Sequence, residues 1–238
     1  SDCPRLARYR YLLRLPDLRD ESATPLWTAE GSDPLAEKLQ PATFGSIVHR
    51  ALELYARARI AGTNAEIETY VTQAFREEER EGNPAALERA LATVRHGIEK
   101  LAPYTPREPE LRFDTTIAGI RVGGYIDLLA DDPEGRPVVI DYKTGSVPDE
   151  SYRIQLSLYQ RVLRDRFAAP PRTAILRLAP DEARFVDLTP IGDAALDAKV
   201  QAAARLDNDT PTTGTHCRSC PYAGALCREG AAYLATQP

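Results

Sequence analysis

Asp127, Asp141 and Lys143 are the residues of this chain whose types and spacing could do chemistry. Asp141 and Lys143 stand two apart in VVIDYKTG, and residues two apart on a strand share a face. Asp127 precedes them in GGYIDLL. If the two segments pair as a hairpin, two carboxylates and an ammonium converge. Carboxylates brought together repel and shift each other's pKa. A divalent cation such as Mg2+ or Mn2+ relieves that cost, taking a few hard oxygen ligands and keeping waters. A lysine beside it can orient or deprotonate a water, or neutralise charge developing on a phosphate. These are the parts of phosphodiester hydrolysis; the ordinary alternative is a salt bridge at a strand end. The apolar run Val138-Val139-Ile140 before Asp141 ends a core strand on a charge, at a sheet edge where sites form.

Two helical pairs accompany this trio. His49 and Glu53 lie four apart in GSIVHRALE, and Gln155 and Tyr159 lie four apart in QLSLY. Residues at that spacing share a helix face. A histidine on an apolar helix is more often a satisfied core residue than a ligand, so these pairs gain weight only with the trio.

The elements needed to position them are readable. Phe44, Ile47, Val48, Ala51, Leu52, Tyr55 and Ala58 follow a helical period, with Gly62 as a stop. Further helices are expected over 64–80 and 84–101, broken at Gly82-Asn83-Pro84. Beyond Pro103, Pro106 and Pro109, the segments 111–119, 120–131 and 136–145 read as strands, with turns near Gly119 and at 132–136. A helix over 150–167, strands at 173–179 and 184–189 and a helix over 191–206 follow. A helical first half leading into a sheet with helices on it gives an α/β class. Residues 16–41 read as a long loop, and the chain as one domain, 1–238.

The order GSIVHRALE, GGYID, VVIDYKTG, QLSLY resembles the PD-(D/E)XK nuclease superfamily, and within it the RecB-like branch of AddB-type helicase–nuclease domains and CRISPR adaptation nucleases. Those motifs span about 43–167. The resemblance implies a restriction-endonuclease-like fold, a mixed central sheet flanked by helices. It implies that Asp127, Asp141, His49 and the main-chain carbonyl of Tyr142 are metal ligands. Lys143 would position or activate the attacking water, and Gln155 and Tyr159 would bind DNA or support the site. Glu110 is a weaker candidate carboxylate, and Glu53 reads as structural. The implied activity is DNA cleavage, expected as an exonuclease on single-stranded DNA in repair or recombination, with a helicase domain or subunit as a partner. A catalytically inactive DNA clamp of the same fold is the alternative, and the intact trio argues against it.

Cys217, Cys220 and Cys227 form C-x2-C-x6-C, and Cys3 is the remaining cysteine. Without a secretory signal a disulfide framework is disfavoured. Four thiolates suit zinc or an iron–sulfur cluster. The one-plus-three arrangement is similar to the [4Fe–4S] staple of the RecB-like branch, in which residues 1–20 and 210–238 would be tied through Cys3, Cys217, Cys220 and Cys227.

Composition sets the bounds. A 43% hydrophobic and 27% charged chain is an ordinary globular one. No apolar run is long enough to span a bilayer, so no membrane partner is expected and a cytoplasmic protein is the default. A net charge of −5 gives no global attraction to DNA, so a local patch must supply it. Residues 1–20 and 153–177 carry arginine clusters that could line a DNA path or be solvated helix faces. The absence of Met and the start just before Cys3 fit an excerpt of a longer helicase–nuclease.

Overall fold

Alternation of apolar and polar residues builds a five-stranded mixed sheet in the computed structural model, which describes Cys3 and residues 41–63, 65–78, 84–145, 152–205, 210–220, 222–223 and 227–236. The strands are β1 (Thr105–Ile117), β2 (Ile120–Asp131), β3 (Pro137–Lys143), β4 (Arg172–Leu178) and β5 (Ala183–Asp187). They lie side by side in that order, antiparallel except for the parallel pair β3–β4. A parallel pair needs a crossover, here α4 (Arg153–Leu163) with the 3-10 turn Arg164–Arg166. Helices α1 (Pro41–Ile60), α2 (Ile67–Glu77) and α3 (Pro84–Leu101) precede the sheet, and α5 (Asp193–Arg205) and α6 (Arg228–Ala235) follow it. This is the expected α/β, restriction-endonuclease-like architecture.

By contacts the chain falls into two compact units, residues 33–200 and residues 1–32 with 201–238. The first holds the sheet, whose central strands carry a buried cluster on each face. On one side α1, α2 and α3 bring Ile47, Val48, Ala51, Leu52, Val71 and Val94 against Leu128, Ala130, Val138, Ile140, Tyr142 and Leu176. On the other, Leu156, Tyr159 and Leu163 of α4 meet Leu111, Phe113, Ile126, Leu129, Val139 and Ile175. Buried on both faces, β3 reads as a nearly continuous apolar run.

Two tight turns fix the register that brings the acids together. Ala118 and Gly119 take φ of 51° and 82° between Ile117 and Ile120, the left-handed pair that a two-residue hairpin demands. Asp132 closes the β2–β3 turn, its Oδ1 accepting from the backbone N–H of Glu134 (3.1 Å) and of Arg136 (2.9 Å). The ladder it starts runs from Asp131↔Pro137 to Leu128↔Ile140. Asp127 and Asp141 are the next residues on their strands, just where the pairing stops.

β1 begins at Thr105, six residues before the expected start at Leu111, and includes Pro106 and Pro109. Prolines argue against a central strand, but β1 lies at the sheet edge. In the second unit the 3-10 turn Thr215–Ser219 and α6 pack against each other. The basic segment 1–20, apart from Cys3, and the long loop over 16–41, apart from Pro41, lie outside the described residues, as do Gly82 and Asn83. No described helix is long and apolar enough to cross a membrane.

Candidate active site

Where β2 leaves β3, the Asp127 carboxylate takes the place of the missing strand. The backbone N–H of Tyr142 donates to Asp127 Oδ2 at 2.6 Å. Asp127 Oδ1 lies 3.5 Å from Nδ1 of His49 on α1. The His49 ring meets the buried Tyr142 ring edge-on, with centroids 5.6 Å apart. Helix α1 also approaches the residue after β3 at Gly45, where a Cβ would stand 3.1 Å from Thr144 Oγ1.

Asp141 is buried beside Asp127 and is contacted by two other residues, one of them backed by a third. Lys143 Nζ lies 2.6 Å from Asp141 Oδ2. Gln155 donates to the Tyr159 hydroxyl at 2.6 Å, and that hydroxyl makes a long 3.5 Å contact to Asp141 Oδ1. Gln155 and Tyr159 thus reach Asp141 as a relay from α4.

His49, Asp127, Asp141, Tyr142, Lys143, Gln155 and Tyr159, all expected from the sequence, therefore gather at one end of the β2–β3 pair. Glu110 joins them. The β1–β2 register passes from Pro109↔Leu128 to Leu111↔Ile126, so Glu110 faces Asp127 at an interruption of the ladder. It adopts a φ of 50°, a strained conformation for a residue with a side chain. Glu53 is as expected structural. It is buried and accepts from Arg50 Nη1 at 2.7 Å and Arg57 Nε at 2.8 Å, and Arg50 also binds Glu77.

Two neighbours were not legible in the sequence. The Tyr152 ring lies under Lys143, 4.9 Å from Nζ to the centroid, and also under Arg177, at 5.4 Å. Lys143 and Arg177 are register partners on β3 and β4. Arg177 also donates to the Gly145 carbonyl. Only the parallel pairing brings Arg177 here, and no local pattern announces it. Of the other arginines in the 153–177 stretch, Arg153 donates to the Thr189 carbonyl at 3.0 Å and four are paired with acids. Arg161 pairs with Asp193 and Asp197, Arg164 with Asp193, Arg166 with Glu108 and Arg172 with Asp187.

The electrostatics follow from crowding negative charge in a dry wedge. Burial, and then the neighbouring Asp127, push Asp141 up to about 6, with Lys143 only partly offsetting them. Burial works against the Asp127 carboxylate too, but His49, the Tyr142 N–H and Lys143 hold it below the usual range. Burial lowers His49, yet Asp127 more than compensates and keeps it above its ordinary value. Burial first and Asp127 second raise Glu110.

The donor types suit Mg2+ or Mn2+: buried carboxylates, one poorly neutralised, with a backbone carbonyl and an imidazole beside them. As they stand, however, among the described residues no three His, Cys, Asp or Glu side chains are set around a common point for a metal ion. The Asp127 and Asp141 oxygens are engaged by the Tyr142 N–H, His49, Lys143 and Tyr159. A cation at this place would therefore have to displace some of those contacts.

Comparison with known proteins agrees with this geometry. A family model described as the PD-(D/E)XK nuclease superfamily matches residues 1–228. The chain belongs to the PD-(D/E)XK nuclease superfamily. Among solved structures, this superfamily member is similar to a "Putative exonuclease" from Eubacterium rectale, with a TM-score of 0.51 at 14% identity, covering 85% of this chain and 78% of that one. It is also similar to SSO0001, with a TM-score of 0.42 at 16% identity, covering 79% and 85% respectively. No curated protein matches the sequence.

The four cysteines all belong to the unit of residues 1–32 and 201–238. Cys3, Cys217 and Cys227 are buried, Cys220 is half-buried, and none is in a disulfide. Cys227 caps α6, its sulfur accepting from the Gly230 N–H at 3.4 Å. Among the described residues the cysteines are not gathered with other His, Cys, Asp or Glu side chains into a ligand set.

Proposed function

We propose that this chain is a metal-dependent DNA exonuclease that hydrolyses single-stranded DNA. The reading rests on one observation above all, the convergence of Asp127, Asp141 and Lys143 at the open end of the β2–β3 ladder. His49, Asp127, Asp141 and the Tyr142 carbonyl would hold Mg2+ or Mn2+. In an antiparallel ladder a residue's N–H and carbonyl point to the same neighbour, which puts that carbonyl on the Asp127 side with the Tyr142 N–H. When bound, the cation supplies Lewis acidity toward a water and a phosphate oxygen.

The chain's own residues do the rest. Lys143, steadied by Asp141 and the Tyr152 ring, presents an ammonium that orients the attacking water and balances charge on the phosphate. Gln155 and Tyr159 hold Asp141 in place. Arg177 adds a second cation next to Lys143. We further assign the chain to the RecB-like branch, as a single nuclease domain that works in the cytoplasm in DNA repair or recombination with a helicase domain or subunit.

End-labelled single-stranded DNA incubated with the protein and Mn2+ is expected to be degraded, and chelator to stop it. Persistence of intact DNA with every divalent metal tried would leave the inactive clamp as the reading. The branch assignment carries a second expectation, that Cys3, Cys217, Cys220 and Cys227 hold a [4Fe–4S] cluster. Anaerobically purified protein should then be brown and carry iron and acid-labile sulfide. A colourless protein with zinc, or with no metal, would remove it.

A further inference from the structure

Past Asp127 toward the hairpin tip, β2 alternates cleanly. Val122, Gly124 and Ile126 turn to the apolar side, where Phe113 lies against Gly124. Arg121, Gly123 and Tyr125 are exposed. Tyr125 is 55% exposed, among the few large apolar side chains left in water. Exposure of a single aromatic residue is ordinary, but three features set this one apart.

It stands two residues before Asp127, and so roughly 7 Å along the strand from the candidate metal ligand. Its cross-strand partner is Arg112, which is exposed and, among the described residues, makes no hydrogen bond or ion pair, acting on Asp114 only through its charge. The next exposed arginine, Arg121, is by contrast tied to Asp114, with Nη2–Oδ2 at 2.5 Å. Finally, Gly123 leaves the strand bare beside the ring. A Cβ there would meet nothing closer than the Phe113 carbonyl at 3.4 Å. The result is an exposed aromatic ring with an arginine opposite it and bare backbone beside it, on the strand that carries Asp127.

We propose that Tyr125 and Arg112 form a nucleotide subsite beside the scissile phosphate, in which an unpaired base stacks on Tyr125 and the adjoining phosphate pairs with Arg112. This rests on the nuclease reading above. The occupant is a single strand. A base stacks on an aromatic side chain without regard to sequence, whereas a paired base within a duplex already has both faces covered. An arginine supplies the phosphate contact that fixes the backbone.

The test compares cleavage of a single-stranded oligonucleotide by wild type, Tyr125→Ala, Tyr125→Phe and Arg112→Ala, with melting curves to verify folding. Tyr125→Ala is expected to raise KM about tenfold, toward the low end of what one stacked base contributes, with kcat nearly unchanged. Tyr125→Phe keeps the ring and should behave as wild type. Arg112→Ala should weaken binding and reduce the salt slope by about one. An oligonucleotide lacking the base that meets Tyr125 should lose the same factor against wild type but nothing further against Tyr125→Ala. If wild type cleaves DNA and Tyr125→Ala cleaves it with the same KM, the subsite is wrong and the nuclease reading stands. If wild type neither binds nor cleaves DNA, both fall.

Discussion

Lys143→Ala is expected to reach the wild-type fold and to lose cleavage by at least about a thousandfold, the scale on which a group acting only on the transition state is felt. The geometry explains why folding survives. Lys143 is the last residue of β3, and its ammonium touches Asp141 and the Tyr152 ring, so its loss removes contacts at the strand's end and not within the core clusters. Removing it leaves Asp141 without its nearest cation, so some stability is lost in metal-free protein and recovered when a divalent cation binds. The measurement is a single-turnover cleavage rate with saturating Mn2+, beside a melting curve. A variant that cuts at the wild-type rate would remove Lys143 from the mechanism. A variant that fails to fold would show that the Lys143–Asp141 pair is structural first.

Asp141→Asn is expected to separate stability from activity in opposite directions. The folded-state pKa of Asp141, about 6, stands above the usual 3.8. An acid with a raised pKa costs nothing below its unfolded value. Its penalty grows as pH rises from about 4 through about 6 and is fully present above that. Asparagine never ionises, so the variant should lose this decline and be more stable near neutral pH. The gain is on the order of 1–3 kcal/mol, roughly 2–10 °C in melting temperature for a chain of this size. Asp127 has the opposite sign; its depressed pKa stabilises above the usual value and is lost only in stronger acid. Cleavage by Asp141→Asn should vanish, and added Mn2+ should raise the melting temperature of wild type but not of the variant. Melting curves of metal-free protein between pH 4.5 and 7.5 decide it: parallel curves for the two proteins would mean that the Asp141 charge is not strained.

The sequence was most informative where one strand's alternation sufficed. That Asp141 and Lys143 act together follows from their spacing alone, and the approach of Asp127 follows from a hairpin whose turn is marked by Asp132 and Gly135. What the chain could not announce depends on elements meeting from afar. Tyr152 under Lys143 and Arg177 beside it require the parallel β3–β4 register. The interruption at Glu110 requires knowing how β1 lines up with β2. The arginines of 153–177 could be read in one dimension as a DNA path or as solvated faces, and four of them find acids on β1, β5 and α5 only in three. The early start of β1 was hidden for a related reason, since proline reads as a strand breaker unless the strand is known to be an edge.

That edge has a bearing on how copies of the chain behave in a crowded solution. Long open strands invite another molecule to add its own, the first step of aggregation. β1 is long and has a neighbour on one side only. Pro106 and Pro109 carry no N–H to offer an incoming strand, the register shifts between Pro106 and Glu108, and Glu108 is engaged with Arg166. A second chain could pair at most with the outer part of the strand beyond them. At the opposite edge, β5 gives little purchase because it is only five residues long.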